Sequence, residues 1–259
     1  MVKAKTNQEL TKMRKAGIIV ALAHRAASAA MQPGITTQEL DRIIENVILE
    51  NGATPSFKGL YGFPAAACIS INSVVVHGIP GDTVLCDGDI VSVDIGACYQ
   101  GYHGDSAWTY GVGKLSEEDQ RLMRVSEESL YEGLKMARAG NHLTDISHAI
   151  GEYVFTHGYS IPRDYAGHGI GTSVHEDPTV PNFGPAGRGI LLQEGMTLAV
   201  EPMVHAGKPQ TRMLKDGWGV VTRDGSKAAH FEHTIVITNR GYEILTTLNK
   251  EERPPYSVL

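Results

Sequence analysis

Two aspartates, Asp94 and Asp105, lie in a stretch whose pattern predicts a β-hairpin. Apolar residues alternate with smaller or polar ones over 90–95, and Gln100-Gly101 fits a two-residue turn between the strands. Pairing across this turn places Asp105 opposite Gly96, so Asp94 and Asp105 become diagonal neighbours on one face, about 7–8 Å apart. Because two such carboxylates flanked by apolar residues raise each other's pKa, the pattern indicates a cation between them.

Three residues farther along the chain carry side chains that such a cation would need. His168 lies in a glycine-rich loop (167–171), where the missing side chains let the backbone crowd a site. Glu201 lies in an apolar strand, and a buried glutamate without a partner is costly. Glu232 directly precedes another apolar strand.

The candidate ligands combine four carboxylates with one imidazole: Asp94, Asp105, His168, Glu201 and Glu232. Their four negative charges would be neutralised by two divalent ions. Mostly oxygen donors with one imidazole suit Mn, Fe or Co, and in some sites Zn. Two ions about 3.5–4 Å apart can activate a water and polarise a carbonyl together. The predicted chemistry is hydrolysis.

Several residues near these candidates have plainer explanations. An aspartate before a turn is commonly a turn or cap residue, so the prediction depends on the whole set and not on Asp105 alone. Cys68 fits a small buried side chain better than a nucleophile, since no partner base is apparent. The histidines for which spacing indicates no specific role are His103, His205, His230 and His233.

The overall composition excludes several classes of protein. A net charge of −6 argues against nucleic-acid binding, whose usual footprint is a basic surface. Three cysteines are too few for a disulfide framework and favour a reducing compartment. The first sixteen residues lack the apolar segment of a secretory signal, and no apolar run is long enough to cross a membrane. We therefore expect a cytoplasmic protein without membrane partners.

Helix signals occur in both halves of the chain. The capping boxes Thr6-Asn7-Gln8-Glu9 and Thr36-Thr37-Gln38-Glu39 predict helices that run towards Met31 and end at Asn51-Gly52. Ser116 opens a third predicted helix that ends at Ala139-Gly140, and 145–156 form a fourth.

A weak internal repeat relates the two halves. Gly34, Leu40, Ile44 and Gly52 recur as Gly140, Ile146, Ile150 and Gly158 at an offset of 106 residues. Asp94 recurs as Glu201 at an offset of 107, and Asp105 takes the part of Glu232. The repeat predicts one α/β (α+β) domain over 1–259, with pseudo-symmetric halves of approximately 7–113 and 114–246 whose carboxylates converge on a pseudo-two-fold axis.

The ordered motifs carry a family resemblance: Asp94, Asp105, Gly167-His168-Gly169-Ile170-Gly171, Glu201-Pro202 and Phe231-Glu232-His233-Thr234. Over essentially the whole chain this series resembles the type I methionine aminopeptidases. The resemblance implies a pita-bread fold, with antiparallel sheets covered by helices around a central dinuclear metal site. It also implies removal of the initiator methionine from nascent chains whose second residue is small.

The resemblance assigns roles to the candidate ligands. Asp94 would chelate one metal ion, and His168 with Glu201 would bind the other. Asp105 and Glu232 would bridge the two ions. The ions implied are Co, Mn, Fe or Zn, and the family pattern leaves room for one monovalent cation.

The resemblance also assigns substrate contacts. His175 would stabilise the oxyanion of the scissile carbonyl, and His77 would contact the peptide beyond the scissile bond. Glu201 would carry the proton from the attacking water. The methionine pocket would involve Phe63, Cys68 and Trp218, a soft apolar slot suited to a thioether. Here Leu60 and Phe57 stand where several relatives carry other residues.

The same resemblance implies nascent polypeptide N-termini as partners, with the ribosome as one place to meet them, and a monomeric enzyme. The nearest alternative is an Xaa-Pro aminopeptidase or prolidase on the same fold. Those enzymes usually carry a separate N-terminal domain and a further histidine where Asp164 stands here. A metal-free binding protein on the same scaffold is a third reading, and the completeness of the ligand set argues against it.

Overall fold

The structure is a computed structural model that describes residues 2–248, so residue 1 and residues 249–259 of the predicted domain lie outside it. The described part contains the helices α1 (Asn7–Ala30), α2 (Thr37–Glu50), α3 (Glu117–Leu134) and α4 (Leu143–Thr156), with a 3₁₀ turn at Leu60–Gly62. Its strands are β1 (Thr54–Pro55), β2 (Ala67–Ile71), β3 (Val74–Val76), β4 (Ile90–Tyr99), β5 (Tyr102–Gly111), β6 (Gly167–Gly169), β7 (Glu176–Val180), β8 (Thr197–Val200), β9 (Met203–His205), β10 (Thr211–Met213), β11 (Val220–Thr222), β12 (Ala228–His230), β13 (His233–Thr238) and β14 (Gly241–Ile244). Within 2–248, no helix combines the length and the apolar character that a membrane span requires.

The predicted starts of the first three helices are confirmed, whereas α4 begins at Leu143, two residues before the predicted start. Thr6 and Thr36 cap α1 and α2, and the carboxylates of Glu9 and Glu39 accept hydrogen bonds from the backbone N–H of the cap residues. The predicted end of α3 at Ala139-Gly140 is wrong, because the helix ends at Leu134. Beyond Leu134 the backbone winds into tight three-residue turns, and the N–H of Gly140 donates to a carbonyl of another segment instead of continuing the helix.

The predicted hairpin is confirmed as β4 and β5. Tyr99 faces Tyr102, and Gly96 faces Asp105. Gln100 and the following glycine both have left-handed φ, at 50° and 79°, as a tight two-residue turn between twisted strands requires. On its other edge β4 pairs with β2 and, towards its end, with β1. Helices α1 and α2 pack together, and α1 covers β4 and β5.

The second half contributes a five-stranded sheet in the order β14-β13-β8-β6-β7. Every pairing among the described strands is antiparallel. Two smaller sheets, β12-β9 and β10-β11-β3, complete the fold, and the latter joins a strand of the first half to strands of the second. The predicted mixed α/β architecture with antiparallel sheets and helices is confirmed.

The repeat seen in the sequence has a structural basis. Helices α2 and α4 have the same length of 14 residues. The glycines that flank them, Gly34, Gly52, Gly140 and Gly158, all have left-handed φ, between 73° and 98°. The matching spacing therefore reflects matching turns before and after each helix, which only glycine adopts without strain.

The expected correspondence between Asp105 and Glu232 is wrong by two residues. In the first half, Gly96 faces Asp105. The residue equivalent to Gly96, at the offset of 107, is Met203, and Met203 faces His230. The strand pairs β8–β13 and β9–β12 share one register, so the pairing is continuous through both. His230 therefore occupies the position in the second half that Asp105 occupies in the first.

Two threonine hydroxyls join the halves where the strands meet. The Thr234 hydroxyl accepts a hydrogen bond from the Asp105 N–H at 3.0 Å and donates to the Asp105 carbonyl at 2.8 Å. The Thr109 hydroxyl does the same for the N–H and carbonyl of His230, both at 2.9 Å. All four residues are buried. These paired contacts fix the backbone of Asp105 and His230 against the opposite half.

We predict that Thr234→Val destabilises the fold, because it leaves two buried backbone groups of Asp105 without partners. Each orphaned group costs about 1–3 kcal/mol, which denaturant unfolding followed by circular dichroism would measure. Thr238→Val on the same strand is the matched control, since the Thr238 hydroxyl accepts only one exposed 3.3 Å hydrogen bond. The control should change stability by less than about 0.5 kcal/mol, and equal losses in both variants would contradict the role of Thr234.

Candidate metal centre

A cavity of about 450 Å³ lies between the two halves, and all the predicted site residues line it. These are the candidate ligands Asp94, Asp105, His168, Glu201 and Glu232, the two histidines His77 and His175, and the pocket residues Phe63, Cys68 and Trp218. The fold therefore brings together residues that lie up to 169 positions apart in the sequence. 

The widest separation in sequence is between Phe63 and Glu232, so the site exists only in the folded chain.

His168 and Glu201 face each other across this cavity. The Nε2 atom of His168 lies 3.4 Å from Glu201 Oε1 and 3.9 Å from Asp105 Oδ2. The Nδ1 atom of His168 lies 2.9 Å from the Gly169 carbonyl oxygen. Because a carbonyl only accepts hydrogen bonds, Nδ1 carries the proton and Nε2 presents a free lone pair to the cavity.

The donor atoms fall into two groups that share one residue. Asp105, His168 and Glu232 form the first, and Glu201, His230 and Glu232 form the second. Within each group, the donor atoms all lie within 4.8 Å of one another.

Spacing along the chain indicates no role for His230, but the structure places it in the second group. The signal that could have found it is the strand register, since His230 is the counterpart of Asp105. Asp94 belongs to neither group. Its side chain lines the same cavity, and its Oδ1 atom is buried without a hydrogen-bond partner.

Burial makes the acidic cluster unfavourable in its charged form. It raises the pKa of Asp94 to about 7, against the opposing effect of His230. It likewise raises the pKa of Glu201 to about 7, against the opposing effect of His168. The pKa values of Asp105 and Glu232 are also raised, by burial and then by the neighbouring carboxylates. Without a counter-ion, the cluster keeps protons that exposed carboxyl groups would release.

The residues present fit a divalent cation. Asp94 Oδ1, Asp105 Oδ1 and Glu232 Oε1 are buried oxygens with no hydrogen-bond partner. A cation would satisfy these oxygens and replace the protons that burial retains. Burial also lowers the pKa of His168, so this imidazole is neutral and able to ligate at neutral pH. Carboxylates and imidazole converging on one cavity form a metal centre of the kind that metal-dependent hydrolases use.

The two predicted substrate histidines lie beside this cluster. The rings of His175 and His168 are 4.5 Å apart at an interplanar angle of 77°. On its other side, His175 stacks on Tyr61 at 6.3 Å and 11°. His77 packs edge-on against Tyr165 at 6.4 Å. Both histidines therefore have fixed ring positions in the cavity wall.

The predicted methionine pocket is an apolar cluster that opens into the same cavity. Phe63 and Trp218 pack edge to face at 5.1 Å, and both contact the cluster that contains Cys68. Cys68 faces Asp94 across β2 and β4. Burial and the nearby negative charges, Asp94 first, raise the pKa of the Cys68 thiol, which therefore stays neutral. The interpretation of Cys68 as a small apolar side chain agrees with this environment.

Comparison with known proteins agrees with the geometry. A model of metallopeptidase family M24 matches residues 11–239. Methionine aminopeptidase 1 of Bacillus subtilis is 54% identical over 95% of this chain and 99% of the relative. The methionine aminopeptidase of Clostridium perfringens is 53% identical over 96% of this chain and 100% of the relative. The crystal structure of methionine aminopeptidase from Thermotoga maritima superposes with a TM-score of 0.94 at 47% identity, over 95% of this chain and 99% of that one.

The chain belongs to metallopeptidase family M24. Its relatives at more than 50% identity are methionine aminopeptidases over nearly the full length of both chains. The predicted methionine aminopeptidase activity is confirmed over the Xaa-Pro alternative, and so is the pita-bread fold.

We predict that the metal-free protein loses stability as the pH rises from about 7 to about 8.5. Above about pH 7 the buried histidines are neutral in both states, because the ordinary histidine pKa is near 6.5 and burial lowers it. The folded pKa values of about 7 for Asp94 and Glu201, and the raised values of Asp105 and Glu232, then mean that the native state binds more protons than the unfolded chain, whose carboxyl groups have pKa values near 4. Stability therefore falls with pH in this window, by up to about 1.4 kcal/mol per pH unit for each such carboxyl group. Thermal unfolding in excess chelator measures the slope.

The variant Asp94→Asn, Glu201→Gln supplies the control for this measurement, because its amides do not titrate and the slope should flatten. Saturating Mn²⁺ should reverse the trend in the unaltered chain, since ligation requires deprotonated carboxylates. A metal-free protein whose stability rises between about pH 7 and 8.5 would contradict the assignment of protonated carboxyl groups.

Proposed function

We propose that this chain removes the N-terminal methionine from polypeptides whose second residue is small, using two divalent ions held by Asp94, Asp105, His168, Glu201 and Glu232. One observation carries the proposal: an apolar slot suited to a thioether opens directly beside the buried acidic cluster. The Cys68–Asp94 cross-strand pair joins the two, so a side chain in the slot brings its own backbone to the cluster.

The chemistry follows from the groups that line the cavity. When bound, divalent ions supply Lewis-acid polarisation of the scissile carbonyl and a nucleophilic water at neutral pH. Glu201 would hold and return the proton of that water, because its carboxylate lies inside the cluster, 3.4 Å from the Nε2 atom of His168. His175 donates a hydrogen bond to the developing oxyanion. His77 contacts the peptide beyond the scissile bond and assists the leaving nitrogen.

Specificity for a chain terminus has an electrostatic basis. The free α-amino group of a peptide is cationic, and the acidic cluster at the end of the slot attracts it. An internal methionine lacks this cationic group and therefore gains no such attraction. The substrates proposed are accordingly nascent polypeptide N-termini, met at the ribosome or after release.

The remaining parts of the proposal come from the family resemblance and the composition. We infer a monomer that acts in the cytoplasm as a single catalytic domain, with Co, Mn, Fe or Zn as the metal and a place for one monovalent cation. The net charge of −6 and the three free cysteines support a reducing compartment and partners other than nucleic acid.

We expect the metal-stripped chain, reloaded with Mn²⁺ or Co²⁺, to release methionine from Met-Ala-Ser and to leave Ala-Pro-Ala intact. Mass spectrometry of the products measures both reactions, and Met-Phe-Ser tests the limit on the second residue. Glu201→Gln should lower kcat on Met-Ala-Ser by about 10²–10⁴-fold through loss of the proton carrier. Cleavage of Ala-Pro-Ala, or equal cleavage of Met-Phe-Ser, would contradict the proposed specificity.

Substitutions at His175 and Trp218 should change different kinetic parameters. His175→Ala removes a group that acts on the oxyanion, so kcat should fall by about 10²–10³-fold with little change in KM. Trp218→Ala opens the apolar slot that binds methionine, so its main effect should be a higher KM. Steady-state kinetics on Met-Ala-Ser distinguishes the two, and the reverse pattern would show that the roles are exchanged.

A further inference from the structure

We propose that His230 is a ligand of the metal centre, adding a second imidazole to the predicted set. This inference rests on the proposed function in one respect, since it requires that the cavity binds divalent metal. His230 lies at the end of β12 with only 2% of its surface exposed. The proposal depends on the position of the His230 Nε2 atom and on how the His230 backbone is held.

His230 stands in the same relation to the acidic cluster as His168. The Nε2 atom of His230 lies 3.5 Å from Glu201 Oε2 and 3.9 Å from Glu232 Oε2. The corresponding distances for His168 are 3.4 Å to Glu201 Oε1 and 3.9 Å to Asp105 Oδ2. The Glu201 carboxylate thus lies between two imidazoles and turns one oxygen towards each.

These distances suit a shared ion better than a hydrogen bond. An N–H···O hydrogen bond spans about 2.7–3.2 Å, and the Nε2 atom of His230 is buried without a hydrogen-bond partner. Two donors on one ion, with metal–ligand bonds of about 2.1 Å, lie at most about 4.2 Å apart. A metal ion would give this nitrogen the partner that it lacks.

The backbone holds His230 in place for this role. Its N–H and carbonyl both bond to the Thr109 hydroxyl, and it pairs with Met203 in β9. By register it is the counterpart of Asp105. Each half of the fold therefore contributes one pair of diagonal neighbours to the cavity: Asp94 with Asp105, and Glu201 with His230.

Each donor group contains one imidazole: His168 lies with Asp105 and Glu232, and His230 lies with Glu201 and Glu232. Glu201 also lies 3.4 Å from the Nε2 atom of His168, so its two oxygens face both groups. A nitrogen donor at both positions favours Co, Fe or Zn over ions that prefer oxygen ligands alone.

The test counts imidazole ligands by X-ray absorption spectroscopy on chelator-stripped protein titrated with Co²⁺ alone. We expect two cobalt ions per chain with an average of one imidazole per cobalt. With both cobalt sites filled, His230→Gln should halve that average, and calorimetric titration should show one cobalt bound about tenfold or more weakly. His168→Gln should halve the average through loss of the other imidazole. The matched control is His148→Gln, an exposed histidine on α4, which should change neither quantity.

If His230→Gln does not fold, the imidazole counts of the unaltered chain and of His168→Gln still test whether His230 is a ligand. Imidazole that remains in cobalt-loaded His168→Gln supports the proposal. Loss of all imidazole from His168→Gln would overturn it, as would an unchanged count in folded His230→Gln, and either result would leave the proposed function intact. Failure of the unaltered chain to bind cobalt would overturn the metal-dependent function as well.

Discussion

The burial of several carboxylates around one small cavity is the constraint on which this structure depends. Asp94, Asp105, Glu201 and Glu232 lose hydration there and repel one another, as their raised pKa values show. Such a cluster is tolerable when it is protonated or when it holds cations. The fold therefore keeps a metal site at the expense of its own stability in the metal-free state, which is the usual relation between a binding site and its scaffold.

The pseudo-symmetric scaffold provides the rigidity that the cluster needs. Repulsion between charged groups would separate the halves if the strands beneath them were free to move. The hydroxyls of Thr109 and Thr234 prevent this, since each bonds both backbone groups of a residue in the opposite half. The N–H of Glu232 adds a direct bond to the Ala107 carbonyl at 2.8 Å. The ligands are thus held by backbone contacts and not only by their own side chains.

The apolar slot and the acidic cluster share the same strands. Cys68 on β2 faces Asp94 on β4, so the wall of the slot and the cluster are adjacent across one ladder. In the proposed function, a methionine side chain in the slot would place its α-amino group near the carboxylates. This adjacency would let one small cavity recognise both a thioether and a chain terminus.

Local patterns in the sequence were sufficient for the elements that depend on local interactions. The capping boxes at Thr6 and Thr36 predicted two helix starts, and Gln100-Gly101 predicted the hairpin register, because both signals depend on residues a few positions apart. The end of α3 was missed because Gly140 bonds to a distant segment. The order of the motifs was enough to indicate the family and the predicted ligands.

The role of His230 could be seen only in the tertiary structure. Spacing along the chain paired Asp105 with Glu232, whereas the ladder register pairs it with His230. Register between distant strands is set by how their faces pack, and one residue of slip reverses every side chain. The sequence by itself therefore determined which residue types were available and the order in which they occur. The fold decided which of them meet, because proximity across two halves arises from packing that no local pattern encodes.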